Sequence, residues 1–105
     1  MEEAPSLLDK LSSEMEMLER HVQMLRTLRA SQPMGIIRLS EQLGLPHHKV
    51  RYSLRLLEKE GLIVPSPEGA MTTETYDEFF NEMEVFLAAL SQRADALRAT
   101  LEGRQ

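Results

Sequence analysis

The chain has no cysteine and no tryptophan, and only three Phe and two Tyr. Without cysteine there are no disulfides, no thiol redox sensing, no thiolate zinc sites and no iron–sulfur ligation. No apolar run approaches the roughly 20 residues needed to cross a bilayer. The opening MEEAPS is acidic where a signal peptide would be basic, so a cytoplasmic location with no membrane partner is expected. A nucleophile beside a base, a phosphate-cradling glycine loop and a clustered carboxylate set are all missing, and no enzyme is expected. His47 and His48 are adjacent, so on a helix they point about 100° apart and cannot form the i, i+4 pair of a helical metal site. Neither a metal nor a cofactor is anticipated.

What remains is 105 residues, 28% of them charged, enough for one domain with a modest core and too few for a separate catalytic domain. Leucine and methionine dominate the apolar set, and Met15, Met17, Met24, Met34 and Met83 read as core fillers. The expected class is mainly α with a small β element.

The segment from Ile36 to Thr73 is the most informative. Leu39, Leu43 and Leu45 bracket Gly44, which describes a short helix stopped at a residue that tolerates a left-handed backbone. Pro46 suits the first position of a second helix, expected over 46–60. At 100° per residue, Val50, Leu54 and Leu57 share one side of it, with small Ser53 beside them where the first helix of the pair can approach. His48, Tyr52, Arg55 and Lys59 fall on the other side, flanked by Lys49 and Arg51. These groups can pair with phosphates or reach base edges in a major groove. Gly61 ends the helix, Leu62 to Val64 read as a strand, Pro65 to Gly69 as a turn, and Ala70 to Thr73 as an antiparallel return. Met34 to Ile36 can add a third short strand.

LSEQLGLP (Leu39 to Pro46), HKVRYSLRLLE (His48 to Glu58) and EGLI (Glu60 to Ile63) resemble winged helix-turn-helix transcriptional regulators of the MarR-like and ArsR-like kind, especially small regulators found in archaea. Gly44, Val50, Leu54, Leu57, Gly61 and Leu62 match structural positions of that family. The resemblance implies a winged helix-turn-helix over 34–73, with 46–60 as the recognition helix. It places His47, His48, Arg51, Tyr52 and Arg55 against double-stranded DNA, and Lys49, Lys59 and Arg38 complete the expected contact set. Tyr52 also suits a half-buried packing role. The wing departs from the family pattern, because Val64 to Thr73 holds no cation and one acid, Glu68. The hairpin is therefore expected mainly to cover the core, with Ser66 giving at most a glancing phosphate contact.

The net charge of −5 is unevenly distributed. Residues 20–59 hold eight cations (Arg20, Arg26, Arg29, Arg38, Lys49, Arg51, Arg55, Lys59) and two acids (Glu41, Glu58), a net +6, while the rest of the chain carries −11. An acidic body repels DNA everywhere except at one surface, which favours a single docking orientation.

Long helices flank this segment. Ser6 and Asp9 have capping-box spacing for a helix over 6–31, with Pro33 beyond its end. Leu8, Leu11, Met15, Leu18, Val22 and Leu25 form its heptad seam, and Met17, His21, Met24 and Leu28 lie on another side. Thr75 and Glu78 fit a second capping box for a helix over 75–102. Its seam runs Tyr76, Phe80, Met83, Leu87, Leu90, Ala94, Leu97, Leu101, with Phe79 and Phe86 as a second edge. At about 1.5 Å per residue this helix is roughly 40 Å long, more than a small winged unit can cover. Pairing of the two end helices within one chain is one solution. A coiled-coil homodimer interface is preferred, in either helix orientation, and two-fold symmetry would set two recognition helices on successive major grooves.

The functional expectation is a nucleoid-associated, sequence-specific regulator of transcription. The alternatives are an architectural DNA-binding protein and a winged-helix protein-interaction module. A small-molecule effector between Tyr76, Phe79, Phe86 and Met24, Leu28 is a further expectation from the MarR-like resemblance, set against a plain core role for the same residues.

Overall fold

A computed structural model of the chain describes residues 6–103; most of the acidic MEEAPS segment read against a signal peptide lies outside them. Four helices and one antiparallel hairpin follow in the order α1 (Leu7–Ser31), α2 (Ile36–Leu43), α3 (His47–Lys59), β1 (Ile63–Ser66), β2 (Gly69–Thr72) and α4 (Tyr76–Glu102). The chain forms two compact units, one ending at Glu74 and the other beginning at Thr75. Among the described residues no helix is long and apolar enough to cross a membrane.

The helix α1 starts where local chemistry dictates. The Ser6 hydroxyl accepts from the Asp9 amide at 3.1 Å and the Asp9 carboxylate accepts from the Ser6 amide at 3.4 Å, so two amides without intrahelical acceptors are satisfied together. Its C-cap, Gln32, turns extended and uses its Oε1 to accept from the Thr72 amide (2.6 Å) and hydroxyl (3.0 Å). The end of α1 is thereby tied to β2.

Met24, Leu25 and Leu28 of α1 are fully buried with Met34, Leu39 of α2 and Val50 of α3, and Leu57, Leu62, Ile63 and Ala70 complete the core. Leu25 therefore belongs to this core and not to the dimer seam where its heptad spacing placed it. A three-four repeat fixes which residues share a face but not what that face meets. Met24 and Leu28 are likewise interior, with no exposed surface, and cannot line an effector crevice.

Gly44 closes α2 at φ 67°, and its amide donates to the Ser40 carbonyl. Pro46 departs from the expected first helical position. Its φ of −64° is helical but its ψ of 150° is extended, which makes it the N-cap whose carbonyl accepts from the Lys49 and Val50 amides. The second helix thus covers 47–59 where 46–60 was expected.

The hairpin is longer than the turn signals suggested. Ile63 pairs with Thr72, Val64 with Met71, Pro65 with Ala70 and Ser66 with Gly69, so the turn shrinks to Pro67 and Glu68. Pro65 is tolerated because β1 pairs with β2 on one side only, which leaves its outer edge without a ladder. The expected third strand reduces to one bridge, in which Met34 and Ala70 exchange amide–carbonyl bonds of 3.2 and 2.9 Å. Helix α2 begins at Ile36, so beyond Met34 only its N-cap, Gly35, is still extended. Gly69, at φ 134°, sits so close to this bridge that a Cβ would lie 2.5 Å from the Met34 carbonyl carbon.

Thr75 precedes α4 with a helical backbone and makes no side-chain cap bond, contrary to the capping-box expectation. A side chain reaches the N3 amide from an extended N-cap residue, and Thr75 is not extended. Within α4, Tyr76 stacks on Phe80 with ring centroids 4.5 Å apart, and Phe79 meets Phe80 edge-on at 5.9 Å.

Candidate nucleic-acid interface

The sequence of α3 alternates what the core needs with what solvent tolerates. Val50, Ser53 and Leu57 are buried and Leu54 is half-buried, while His47, His48, Lys49, Arg51, Tyr52, Arg55 and Lys59 are exposed. Burial of one stripe against α1, α2 and β1 fixes the rotation of the helix, and that rotation holds the cationic stripe outward.

Two shallow concavities, of about 460 and 470 Å³, organise this outward face. His48, Lys49, Arg51, Tyr52 and Arg55 line the first together with Arg20 from α1. Arg38 of α2, His47 and Arg51 line the second, with Gly35, Ile36 and Ile37 as its apolar floor. Arg51 is common to both and joins them into one strip. Neither concavity contains a carboxylate, since Glu41 and Glu58 lie elsewhere. Lys59 lines neither and is the last residue of α3. The two histidines diverge into different concavities, as adjacent helical positions must.

Arg20 is a member of this face that sequence reasoning did not place there. Its guanidinium Nε donates to the Ser53 hydroxyl at 2.8 Å, and Ser53 is fully buried. Ser53 is thus a small, buried position that receives a side chain from α1. This contact anchors the Nε edge of the guanidinium, and Arg20 lines the same concavity as His48, Arg51, Tyr52 and Arg55. The only sequence signal was that the basic stretch begins at Arg20.

The next residue on α1, His21, is buried, and its Nδ1 finds no hydrogen-bond partner among the described residues. Burial, and secondarily the Arg20 charge, lower its pKa below the ordinary histidine value. Its neutral form is thereby favoured.

The hairpin adds little charge to this surface. The Ser66 hydroxyl donates to the Gly69 carbonyl at 2.6 Å, so its proton is already committed. No group of three or more His, Asp or Glu side chains arranged to hold a metal occurs among the described residues.

The expected dimer residues divide by exposure. Leu8 (74% exposed), Leu11 and Met15 on α1, and Leu87, Leu97 and Leu101 on α4, are exposed, whereas Leu18, Val22, Phe80, Met83 and Leu90 are half-buried. Compared with known proteins, the chain matches no family model and no curated sequence. Its geometry therefore carries the functional argument.

Proposed function

We propose that this protein is a winged helix-turn-helix regulator of transcription that binds double-stranded DNA sequence-specifically as a homodimer, with α3 as the recognition helix. The observation that carries the reading is the acid-free cationic strip along α3, extended by Arg20 and Arg38 on either side. At ~1.5 Å per residue α3 is about 20 Å long, and a major groove about 12 Å wide admits it.

In this reading His47, His48, Arg51 and Tyr52, near the start of α3, reach base edges, and Arg55 follows one turn later. Arg20 and Arg38, on neighbouring helices, suit phosphates on the two groove walls. The β1–β2 hairpin is the wing. It covers the core with Ile63 and Ala70 and, having no cation, does not enter the minor groove. The exposed apolar seams of α1 and α4 support self-association, since leaving a row of leucines in water forfeits about 1.5–3 kcal/mol per side chain.

The test is a shift assay on duplexes recovered with the protein from cells, against scrambled duplexes, at several salt concentrations. The proposal expects a preference that persists as salt rises. Equal affinity for both duplexes would indicate an architectural role, and no binding to either would indicate a protein-interaction module.

A further inference from the structure

The apolar seam of α4 has a definite register, and among the described residues of this helix none is buried. We infer that two copies of the chain pair through α4 in antiparallel orientation, centred between Leu87 and Leu90. This deepens the homodimer reading and rests on it.

The unbroken helix Tyr76–Glu102 keeps the four-three repeat in phase from end to end. Taking Phe80, Leu87, Ala94 and Leu101 as a positions and Tyr76, Met83, Leu90 and Leu97 as d positions, antiparallel pairing sets a against d of the second copy. Leu87 then meets Leu90, Met83 meets Ala94, Phe80 meets Leu97 and Tyr76 meets Leu101, with no seam residue left over. Large side chains face small or medium ones in each layer. Parallel pairing instead sets Phe80 on Phe80 and Ala94 on Ala94, crowding one layer and leaving another underfilled.

The flanking charges choose the same orientation. In a parallel pair Arg93, at a g position, faces Arg98 of the second copy at an e position, twice by symmetry, which is repulsive. In an antiparallel pair e faces e and g faces g. Arg98 then faces Asp77 of the second copy, and Arg93 lies beside the exposed ring of Phe86, a cation–π arrangement. The existing Arg98–Asp95 contact, at 4.0 Å with both side chains 73% exposed, is too weak to withhold the arginine. The first half of α4 carries Asp77, Glu78, Glu82 and Glu84 with no cation, whereas the second half holds Arg93 and Arg98 beside Asp95 and Glu102 and is neutral. Antiparallel pairing brings these opposite halves together.

The chain has no cysteine, so Met83→Cys and Ala94→Cys each introduce a single thiol. Sedimentation of the full chain first establishes whether a dimer forms. In the antiparallel register each variant alone stays unlinked under mild oxidation, because positions 83 of the two copies are roughly 16 Å apart along the axis. A mixture of the two variants yields a covalent hetero-pair identifiable by mass. Self-linking of either variant overturns the inference in favour of parallel pairing. A dimer with no linkage in any arm overturns the α4 interface while leaving the homodimer reading standing, and a monomer overturns both. Arg98→Glu separates the orientations independently of oxidation: it weakens the antiparallel dimer about fivefold by opposing Asp77, and strengthens a parallel one by pairing with Arg93.

Discussion

Replacing Ser53 by alanine isolates the contact that joins α1 to α3 beneath the cationic face. Ser53 is fully buried, so it cannot touch DNA, and its hydroxyl accepts from Arg20 Nε at 2.8 Å. A hydrogen bond to a charged group contributes about 1.5–3 kcal/mol when both partners are shut off from water. Arg20 is only half-buried, and water replaces part of the lost bond, so the expected cost of Ser53→Ala is about 1 kcal/mol, read as a Tm decrease of about 4–8 °C. Circular dichroism melts measure it. The same variant frees the guanidinium from its anchor, and any change in DNA binding must pass through Arg20. Arg20→Ala should lower the magnitude of the salt slope of log K by about 0.9 per subunit if one phosphate contact is lost. Ser53→Ala should weaken binding by a smaller factor with a nearly unchanged slope, since the charge remains. An unchanged melt for Ser53→Ala would refute the Arg20–Ser53 anchor, and an unchanged salt slope for Arg20→Ala would refute the assignment of Arg20 to the interface.

Other expectations follow from separate parts of the fold. Arg51→Ala and Arg55→Ala should each weaken binding to a preferred duplex by about 1–3 kcal/mol if bidentate base contacts are lost, read by titration at fixed salt. Gly69→Ala should destabilise the protein by on the order of 3 kcal/mol in urea unfolding, because φ 134° is unfavourable for alanine and the new Cβ would meet the Met34 backbone at 2.5 Å. Leu25→Ala should cost about 3 kcal/mol of folding stability, whereas Leu11→Ala, at an exposed position, should leave chain folding within about 0.5 kcal/mol and act on self-association. The neutral form of His21 is favoured in the fold, so the unfolded chain binds the extra proton first. Stability should be fully present above the ordinary histidine pKa near 6.5, decline as pH falls from there toward the lowered folded value, and level off below it. His21→Gln should flatten that decline in urea unfolding between pH 5 and 7.5.

Several features written in local chemistry could be read directly from the sequence, although the Thr75–Glu78 box, equally local, was not among them because Thr75 is not extended. The Ser6–Asp9 capping box, the stop at Gly44 and the span of α1 needed only neighbours within one turn. The outward stripe of α3 was equally legible, because the spacing of Val50, Ser53 and Leu57 fixes which side remains exposed. Features set by distant packing were not. Arg20 and Ser53 are 33 residues apart, and nothing in either segment announces that α1 lies against α3. Leu25 continues the same three-four repeat as Leu11, so the pattern could not reveal that one is core and the other exposed. Pro65 looked like a turn residue because its ring removes a donor, and only an unpaired sheet edge makes that loss harmless.

The central claim is that the exposed face of α3 reads duplex sequence. Selection from a pool of random duplexes, carried out in parallel with the natural chain and with an Arg51→Ala/Arg55→Ala variant shown to be folded, tests it most directly. The account predicts that the natural chain enriches a two-fold-symmetric motif with half-sites about one helical turn apart, and that the variant enriches none. Enrichment of the same motif by both proteins, or of no motif by the natural chain, would contradict it.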